Sequence, residues 1–182
     1  MKILANDGIS QSGVIALTEA GYEVITTNVS QEQLVNFINE NKITVLLVRS
    51  ATNARKELID SCPNLKIIGR GGVGMDNIDV EYAREKGLSV INTPAASSSS
   101  VAELVFAHLY GGVRFLYDSN RNMPLEGESN FKSLKKAYAK GIELRGKTLG
   151  IIGFGRIGQE VAKIAIGSGM NVKFSDLHTK SA

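Results

Sequence analysis

The sequence predicts an α/β fold in which a five-stranded parallel sheet is followed by a smaller β-α-β unit. Three observations lead to this prediction. Short, continuously apolar runs alternate with helical patterns along the first half of the chain, as expected for strands that are covered on both faces. Apolar residues make up 43% of the sequence, an ordinary share for a globular protein. Glycine is frequent, with 19 residues, and tryptophan is absent, which favours an α/β fold over an all-β sandwich.

The first domain is predicted over residues 1–97. Its strands are predicted, in chain order, over 2–5, 22–26, 43–48, 65–69 and 88–92, and its helices over 8–20, 31–39, 56–61 and 79–86. Ser30 and Gln33 have the spacing of a capping box. Gly21 and Gly87 stand where two of the helices should end. Right-handed crossovers then give a five-stranded parallel sheet. For this sheet we predict a flavodoxin-like strand order, 2-1-3-4-5.

The second domain is predicted over residues 98–182, after a hinge that contains the serine run Ser97–Ser100. Ser100 and Glu103 form another capping-box pattern, so a long apolar helix is predicted over 101–117. The remaining elements are predicted as an arm or loop (120–130), a short amphipathic helix (131–140), a strand (148–152), a helix (156–168) and a strand (171–175). Because a two-stranded sheet cannot bury its own faces, we expect the chain to be a fragment of a longer protein.

Composition excludes several classes of protein. The net charge of +3 is too small to argue for a nucleic-acid binder, and the basic stretch 132–147 lacks interleaved aromatic residues, so we interpret it as a solvated helix face. No apolar run reaches the ~18 residues of a transmembrane helix, and the polar start does not resemble a signal peptide. We therefore expect a cytoplasmic protein with no membrane partner. One cysteine and two histidines exclude an intrachain disulfide and predict no protein-bound metal.

A glycine motif of the form G-x-G-x-x-G spans Gly153–Gly158. It follows the predicted strand 148–152 and opens a helix, and the next strand ends at Asp176, 18 residues beyond Gly158. In this context the glycines let the backbone approach a pyrophosphate, the helix N-terminus presents N–H groups, and the acid accepts from ribose hydroxyls. We therefore predict a Rossmann-type dinucleotide site, formed by Gly153, Gly155, Gly158 and Asp176. Asp176 favours NAD over NADP because it would repel a 2′-phosphate. The alternative is a tight strand-to-helix turn without a ligand.

A second match, Gly69–Gly74, lacks that context, because its following helix is short and the next strand ends at Asn92 without an acid. The consecutive N–H groups of residues 71–74 predict an anion-binding nest instead. Arg49 and Arg70 stand at the carboxyl ends of two strands, where open parallel sheets bind ligands. The sequence therefore predicts a site for a small anion carrying phosphate and carboxylate groups. The alternative is two surface arginines beside a turn.

The histidines and the cysteine are predicted to be structural. His108 lies inside the apolar helix and is expected in a core or an interface, and His178 is expected to be exposed. Cys62 ends a helix and is expected to be a buried or half-buried thiol. Two isolated histidines give no basis for a Ser-His-Asp arrangement.

Five ordered motifs resemble the D-isomer-specific 2-hydroxyacid dehydrogenases over essentially the whole chain. They are Arg49–Thr52, Gly69–Asp79, Asn92–Pro94, Val101–Leu104 and Gly153–Gly158. The resemblance implies a flavodoxin-like substrate domain followed by a Rossmann domain. It also implies oxidation of a small 2-hydroxy acid with NAD as the cofactor. Within the family, the pair of Arg49-Ser50 and Arg70 points to a phosphorylated substrate.

The resemblance also implies a role for single residues. On the substrate side, Arg49, with Ser50, and Arg70 would bind the phosphate, and the backbone near Val73 and Gly74 would hold the carboxylate. On the cofactor side, roles are implied for Ser97 near the nicotinamide, for Arg156 and Ile157 over the pyrophosphate, and for Asp176 at the ribose. The helix from Val101 and the arm up to about Lys147 would form a two-fold homodimer.

One departure from the family is large. The family's catalytic His, its partner Glu and its substrate-orienting Arg follow the second Rossmann strand, and neither His108 nor His178 matches them. Without that His no side chain takes the hydroxyl proton, and without that Arg the developing carbonyl loses its clamp. We therefore expect this chain alone to be inactive. Three functions stay open: a dehydrogenase of a phosphorylated 2-hydroxy acid, a dehydrogenase or reductase of another 2-hydroxy acid, and a non-catalytic dimeric module that binds NAD or an anion.

Overall fold

The computed structural model describes residues 1–177 and divides the chain into two units. The first unit spans Met1–Ala96, and the second begins at Ser97. No helix within residues 1–177 combines the length and the apolar character needed to cross a bilayer.

The first unit is a five-stranded parallel sheet with a helix between each pair of successive strands. The strands are β1 Lys2–Ala5, β2 Glu23–Ile25, β3 Val45–Val48, β4 Ile67–Arg70 and β5 Ser89–Asn92, and the helices are α1 Gln11–Glu19, α2 Gln31–Glu40, α3 Lys56–Ser61 and α4 Val80–Glu85. The strand order is β2-β1-β3-β4-β5, with all neighbours parallel. This confirms the predicted flavodoxin-like order. Every predicted element of this unit is present, with ends shifted by up to three residues.

The largest shift, at the start of α1, has a local cause. Gly8 has a φ of +76°, so the backbone turns there before the helix begins. Ser10 is the N-cap, and its hydroxyl accepts a hydrogen bond from the Gly13 N–H at 3.3 Å. At the start of α2, Ser30 is the N-cap as predicted, although its side chain makes no capping hydrogen bond.

The core of the first unit lies between the central strands and the helices on one face of the sheet. Leu4, Leu46 and Ile68 come from three neighbouring strands and are fully buried, together with Leu34 of α2. Burial of each aliphatic side chain contributes roughly 1.5–3 kcal/mol to folding. Cys62 belongs to the same core, as predicted, and burial raises the pKa of its thiol to about 11.

The described part of the second unit, residues 97–177, contains three helices and a parallel pair of strands. The elements are α5 Ser98–Val113, α6 Leu116–Tyr138, β6 Thr148–Ile152, α7 Arg156–Gly167 and β7 Asn171–Ser175. β6 and β7 pair in parallel over their whole length, with α7 as the connection. A smaller core forms where α5 packs on α7, built on Ala102, Phe106, Val161 and Ala165. The predicted β-α-β unit is therefore present.

The predictions for residues 98–140 were partly wrong. α5 begins at Ser98 with Ser97 as its N-cap, so Ser100 lies in the first turn and the predicted capping box does not form. The chain leaves the helix at Phe115, which has a φ of +56°, so 101–117 is not one helix. His108 is exposed on α5 and is not part of this unit's core, so of its two predicted placements the core is wrong and the interface stays a prediction.

For the arm or loop predicted over 120–130, the loop is wrong, because residues 120–129 are helical within α6 despite Pro124. A break in the helical backbone at Asn130 separates them from the predicted amphipathic helix. Tertiary contacts hold the two halves of α6. Tyr138 donates to the Asp118 carboxylate at 3.0 Å and accepts from Asn122 at 3.2 Å. These bonds join residues 16 and 20 positions apart, which come into contact because the chain turns back at Asn130.

Candidate functional site

A cavity of about 690 Å³ opens at the carboxyl ends of the central strands of the first unit. Arg49 and Arg70 both line it, so the structure brings together the two arginines that the sequence predicted. Leu47, Gly69 and Ile91 form an apolar part of the lining. The predicted residues Ser50, Val73 and Gly74 do not line the cavity; Ser50 and Val73 are exposed on adjoining loops.

The Arg49 side chain has no partner among the described residues, 1–177. Arg49 follows β3 directly and is exposed. Within residues 1–177 no acceptor lies in hydrogen-bond or ion-pair range of its guanidinium. Its backbone, in contrast, is bound on both sides: the N–H donates to Asp7 Oδ2 at 2.6 Å, and the carbonyl accepts from Asn77 Nδ2 at 2.8 Å. A fixed backbone with five open side-chain donors suits the binding of an anion.

Arg70 differs from Arg49. Its Nη1 donates to the Asp76 carboxylate at 2.7 Å and to the carbonyl of Gly74. The Arg70 side chain is only 13% exposed, and its buried Nε has no partner within the described residues. The hydrogen bond from Arg70 and the charge of its guanidinium hold the pKa of Asp76 below its ordinary value. The two arginines therefore offer different numbers of open donors to a ligand.

The predicted nest at 71–74 is only half present. The Gly71 N–H donates to the Val48 carbonyl at 2.9 Å, and the Gly72 N–H donates to the Arg70 carbonyl at 3.0 Å. The N–H groups of Val73 and Gly74 have no acceptor among residues 1–177. These two are the residues that the resemblance implies for a carboxylate. The nest of four was wrong because the Gly71 N–H bonds to the neighbouring strand and the Gly72 N–H closes a tight turn onto Arg70.

The sequence reasoning missed Asp7 and Asn77. Asp7 lines the cavity and accepts from the Thr52 hydroxyl at 2.5 Å and the Thr52 N–H at 3.1 Å, besides Arg49. Burial alone would raise the pKa of Asp7, but the hydrogen bonds from Thr52, Arg49 and Ala51 together lower it. A signal existed for Asp7, because it follows the first strand at the same sheet edge as Arg49.

In the second unit, the physical reason for glycine differs between the positions of the 153–158 motif. Gly153 has a φ of +88°, which disfavours a side chain. A Cβ on Gly158 would lie 2.4 Å from the Gly153 carbonyl oxygen, so α7 packs too closely on the turn for any other residue. A Cβ on Gly155 would meet nothing within 4 Å. The chain itself does not require a glycine at 155, and the space there is open to a ligand.

The N-terminus of α7 presents unpaired donors beside that space. The N–H groups of Arg156, Ile157 and Gly158 have no acceptor among residues 1–177. Asp176 follows β7, and its Oδ2 accepts from the Phe154 N–H at 2.5 Å, which fixes the carboxylate at the turn. Ser97 is the N-cap of α5. His178 lies outside the described residues. Three N–H groups at the positive end of a helix are suited to an anionic group.

Comparison with known proteins gives the family to which this chain belongs. Residues 3–180 match the model of the D-isomer specific 2-hydroxyacid dehydrogenase catalytic domain. The chain therefore belongs to the D-isomer specific 2-hydroxyacid dehydrogenase family, as the resemblance implied.

Two relatives and one solved structure illustrate the similarity. The chain is 43% identical over 172 residues to D-3-phosphoglycerate dehydrogenase of Methanocaldococcus jannaschii, covering 94% of the chain and 31% of the relative. It is 41% identical over 172 residues to hydroxypyruvate reductase of Thermotoga maritima, covering 94% and 54%. It superposes on the NAD⁺-bound 3-phosphoglycerate dehydrogenase of Entamoeba histolytica with a TM-score of 0.74 and 31% identity, covering 100% and 55%. The chain thus spans between about a third and about half of these proteins.

Proposed function

We propose that this chain is the N-terminal part of an NAD-dependent dehydrogenase that oxidises 3-phospho-D-glycerate to 3-phosphohydroxypyruvate in serine biosynthesis. One observation carries the proposal: Arg49 and Arg70 line the same cavity at the carboxyl edge of the sheet. Two guanidiniums at one cavity suit a phosphate dianion better than a single carboxylate. The names of the relatives from M. jannaschii and E. histolytica support the same substrate.

In this proposal the chain's own residues bind and orient the substrate. The open guanidinium of Arg49 takes the phosphate, and the remaining donors of Arg70 add to it. The unpaired N–H groups of Val73 and Gly74 take the carboxylate. These contacts would hold the substrate at its two charged ends, with the hydroxyl-bearing carbon between them. The proton-accepting group implied by the resemblance lies outside this chain, so we expect binding without turnover from the chain alone.

The cofactor proposal rests on the second unit. The residues there fit a dinucleotide, because a Cβ on Gly155 would fill an open space beside three unpaired N–H groups. NAD, when bound, would supply the acceptor for the hydride. The α7 N-terminus, with Arg156 and Ile157, would hold the pyrophosphate, and Asp176 would accept from the ribose. An acid at 176 supports NAD over NADP.

A second candidate function is a dehydrogenase or reductase of a 2-hydroxy acid without phosphate. The Arg70–Asp76 ion pair favours it, because Asp76 already neutralises one of the two arginines. The relative from T. maritima, named hydroxypyruvate reductase, supports this alternative. A non-catalytic module that binds NAD or an anion is the third possibility and differs in giving no turnover in the full-length protein.

Calorimetric titration of 3-phospho-D-glycerate and D-glycerate into the chain distinguishes the first two. We expect the phosphorylated acid to bind more tightly and Arg49→Ala to remove that advantage. Loss of one charge-assisted interaction costs about 1.5–3 kcal/mol, or roughly ten- to a hundredfold in Kd. Arg84→Ala is the matched control, because Arg84 is an exposed arginine on α4, away from the cavity lining. Equal affinity for both acids, unchanged in Arg49→Ala and Arg70→Ala, contradicts the phosphate proposal.

We also propose that the protein is a homodimer that uses α5 and α6. Several large apolar side chains of these helices are exposed, namely Leu104, Tyr110, Leu116, Tyr117 and Leu125. Exposed apolar surface of this extent on one unit is typical of an interface. A second copy of the chain is the partner that the resemblance implies.

A further inference from the structure

The loop that carries Arg49 has no regular secondary structure of its own. Arg49–Thr52 follows β3, and Arg49, Ser50 and Ala51 are exposed. Thr52, at the end of the loop, is only 4% exposed. An exposed loop with a long side chain at its start would normally sample many conformations, and each would move the guanidinium.

The donors of this loop converge on one carboxylate. Asp7 Oδ2 accepts from the N–H groups of both Arg49, at 2.6 Å, and Thr52, at 3.1 Å. Asp7 Oδ1 accepts from the Thr52 hydroxyl at 2.5 Å. Asp7 follows β1, so the contact crosses from one strand end to the next.

The acceptors of the same loop converge on one amide. Asn77 Nδ2 donates to the carbonyls of Arg49, at 2.8 Å, and Thr52, at 2.6 Å. Asn77 is only 5% exposed. Arg49 and Thr52 therefore each have the N–H bound by Asp7 and the carbonyl bound by Asn77. A further bond from Asn6 Nδ2 to the Thr52 hydroxyl, at 2.8 Å, fixes the end of the loop.

We infer that Asp7 and Asn77 are positioning residues for anion recognition, which clamp the Arg49–Thr52 loop and so aim Arg49 at the cavity. This inference rests on the proposed function, in which Arg49 binds the substrate phosphate. Arg70 needs no such clamp, because Asp76 and the Gly74 carbonyl hold its guanidinium directly. In the part of the chain that the structure describes, the Arg49 side chain has no partner, so its order before the ligand arrives depends on its backbone. Ordering it in advance lowers the entropic cost of binding.

The sign of the Asp7→Asn effect separates this role from simple electrostatics. Asp7 lines the cavity, so its negative charge opposes an anion. If charge were its whole contribution, Asp7→Asn would tighten binding. If it positions Arg49, the substitution weakens binding, because an amide cannot accept all three donors of the loop.

The experiment titrates 3-phospho-D-glycerate into the wild-type chain and its Asp7→Asn and Asn77→Ala variants by calorimetry. We expect Kd to rise about fivefold or more in each, the effect of losing one or two orienting hydrogen bonds. Asp60→Asn and Asn39→Ala are matched controls. Asp60 binds Tyr82 and Lys86, and Asn39 binds the Ser61 carbonyl, all outside the cavity lining. We expect both controls to bind as the wild type does.

A double-mutant cycle distinguishes positioning of Arg49 from a general effect of Asp7 on the structure. We expect Asp7→Asn to have little further effect in an Arg49→Ala background but its full effect in an Arg70→Ala background. Equal effects in the two backgrounds overturn the inference, as does tighter binding by Asp7→Asn. If Arg49→Ala itself leaves Kd unchanged, the proposed function fails instead. Should Asp7→Asn not fold, Thr52→Val removes the hydroxyl donor to Asp7 in a side chain of the same shape. Wild-type affinity in that variant also overturns the inference.

Discussion

Arg70 donates to the Asp76 carboxylate at 2.7 Å, so one of the two cavity arginines is already paired within the chain. Asp76 competes with a bound anion for the same Nη1. We therefore expect Asp76→Asn to lower the Kd for 3-phospho-D-glycerate about two- to fivefold, the modest effect of an exposed ion pair. Calorimetry of the chain measures it. Asp79→Asn, which breaks the exposed pair with Arg55, is the control. A weaker affinity in Asp76→Asn would mean that Asp76 orients Arg70 and does not compete with the ligand.

Two glycines of the 153–158 motif are expected to respond differently to alanine. Gly158→Ala places a Cβ 2.4 Å from the Gly153 carbonyl oxygen, a backbone atom, so the turn must shift. We expect the variant to lose about 1–3 kcal/mol of stability in thermal unfolding. Gly155→Ala meets no atom within 4 Å, so we expect wild-type stability with NAD binding weakened at least tenfold. Unchanged NAD affinity in a folded Gly155→Ala would exclude the ligand from that space.

The acid stability of the first unit should depend on Asp7. Its hydrogen bonds to Thr52 and Arg49 outweigh the effect of burial and lower its pKa in the folded state. A depressed pKa contributes stability that is present above the unfolded value of about 3.9 and is lost as pH falls through the folded value. We expect the stability difference between the wild type and Asp7→Asn to be largest at neutral pH and to shrink below about pH 4. Denaturant unfolding at pH 7 and pH 3 measures it. A constant difference contradicts the assigned shift.

The dimer proposal predicts a change in mass after a single substitution. Light scattering should give about 39 kDa for two chains of 19.5 kDa each. Leu104→Asp places a charge on the exposed apolar face of α5, and we expect it to give a monomer at about micromolar concentration because a buried unpaired charge is costly. Ile15→Asp, an equally apolar and exposed position on α1, is the control and should stay dimeric. A wild-type monomer at that concentration contradicts the proposal.

The limits of sequence reasoning are clearest in residues 98–140. Pro124 and Gly127 indicate a turn by local propensity, yet both lie inside α6. Bonds from Tyr138 to Asp118 and Asn122 join residues that no periodicity connects. In the first unit the predicted strands are confirmed. A short, continuously apolar run bounded by glycine and polar residues is typical of a parallel strand that is buried on both faces.

The candidate sites divide in the same way. The sequence by itself determined the class of fold and the edge of the sheet at which Arg49 and Arg70 meet, because parallel strands bring their carboxyl ends to one edge. The strand order was a hypothesis that the structure confirmed. It also determined the strand-turn-helix context of Gly153–Gly158, since that pattern is local. Only the tertiary structure decided that Arg70 is paired with Asp76 and Arg49 is open, and that Asp7 and Asn77 hold the same loop from two sides. These contacts join residues between 6 and 42 positions apart, and hydrogen-bond geometry of a few tenths of an ångström is set by packing, not by sequence spacing.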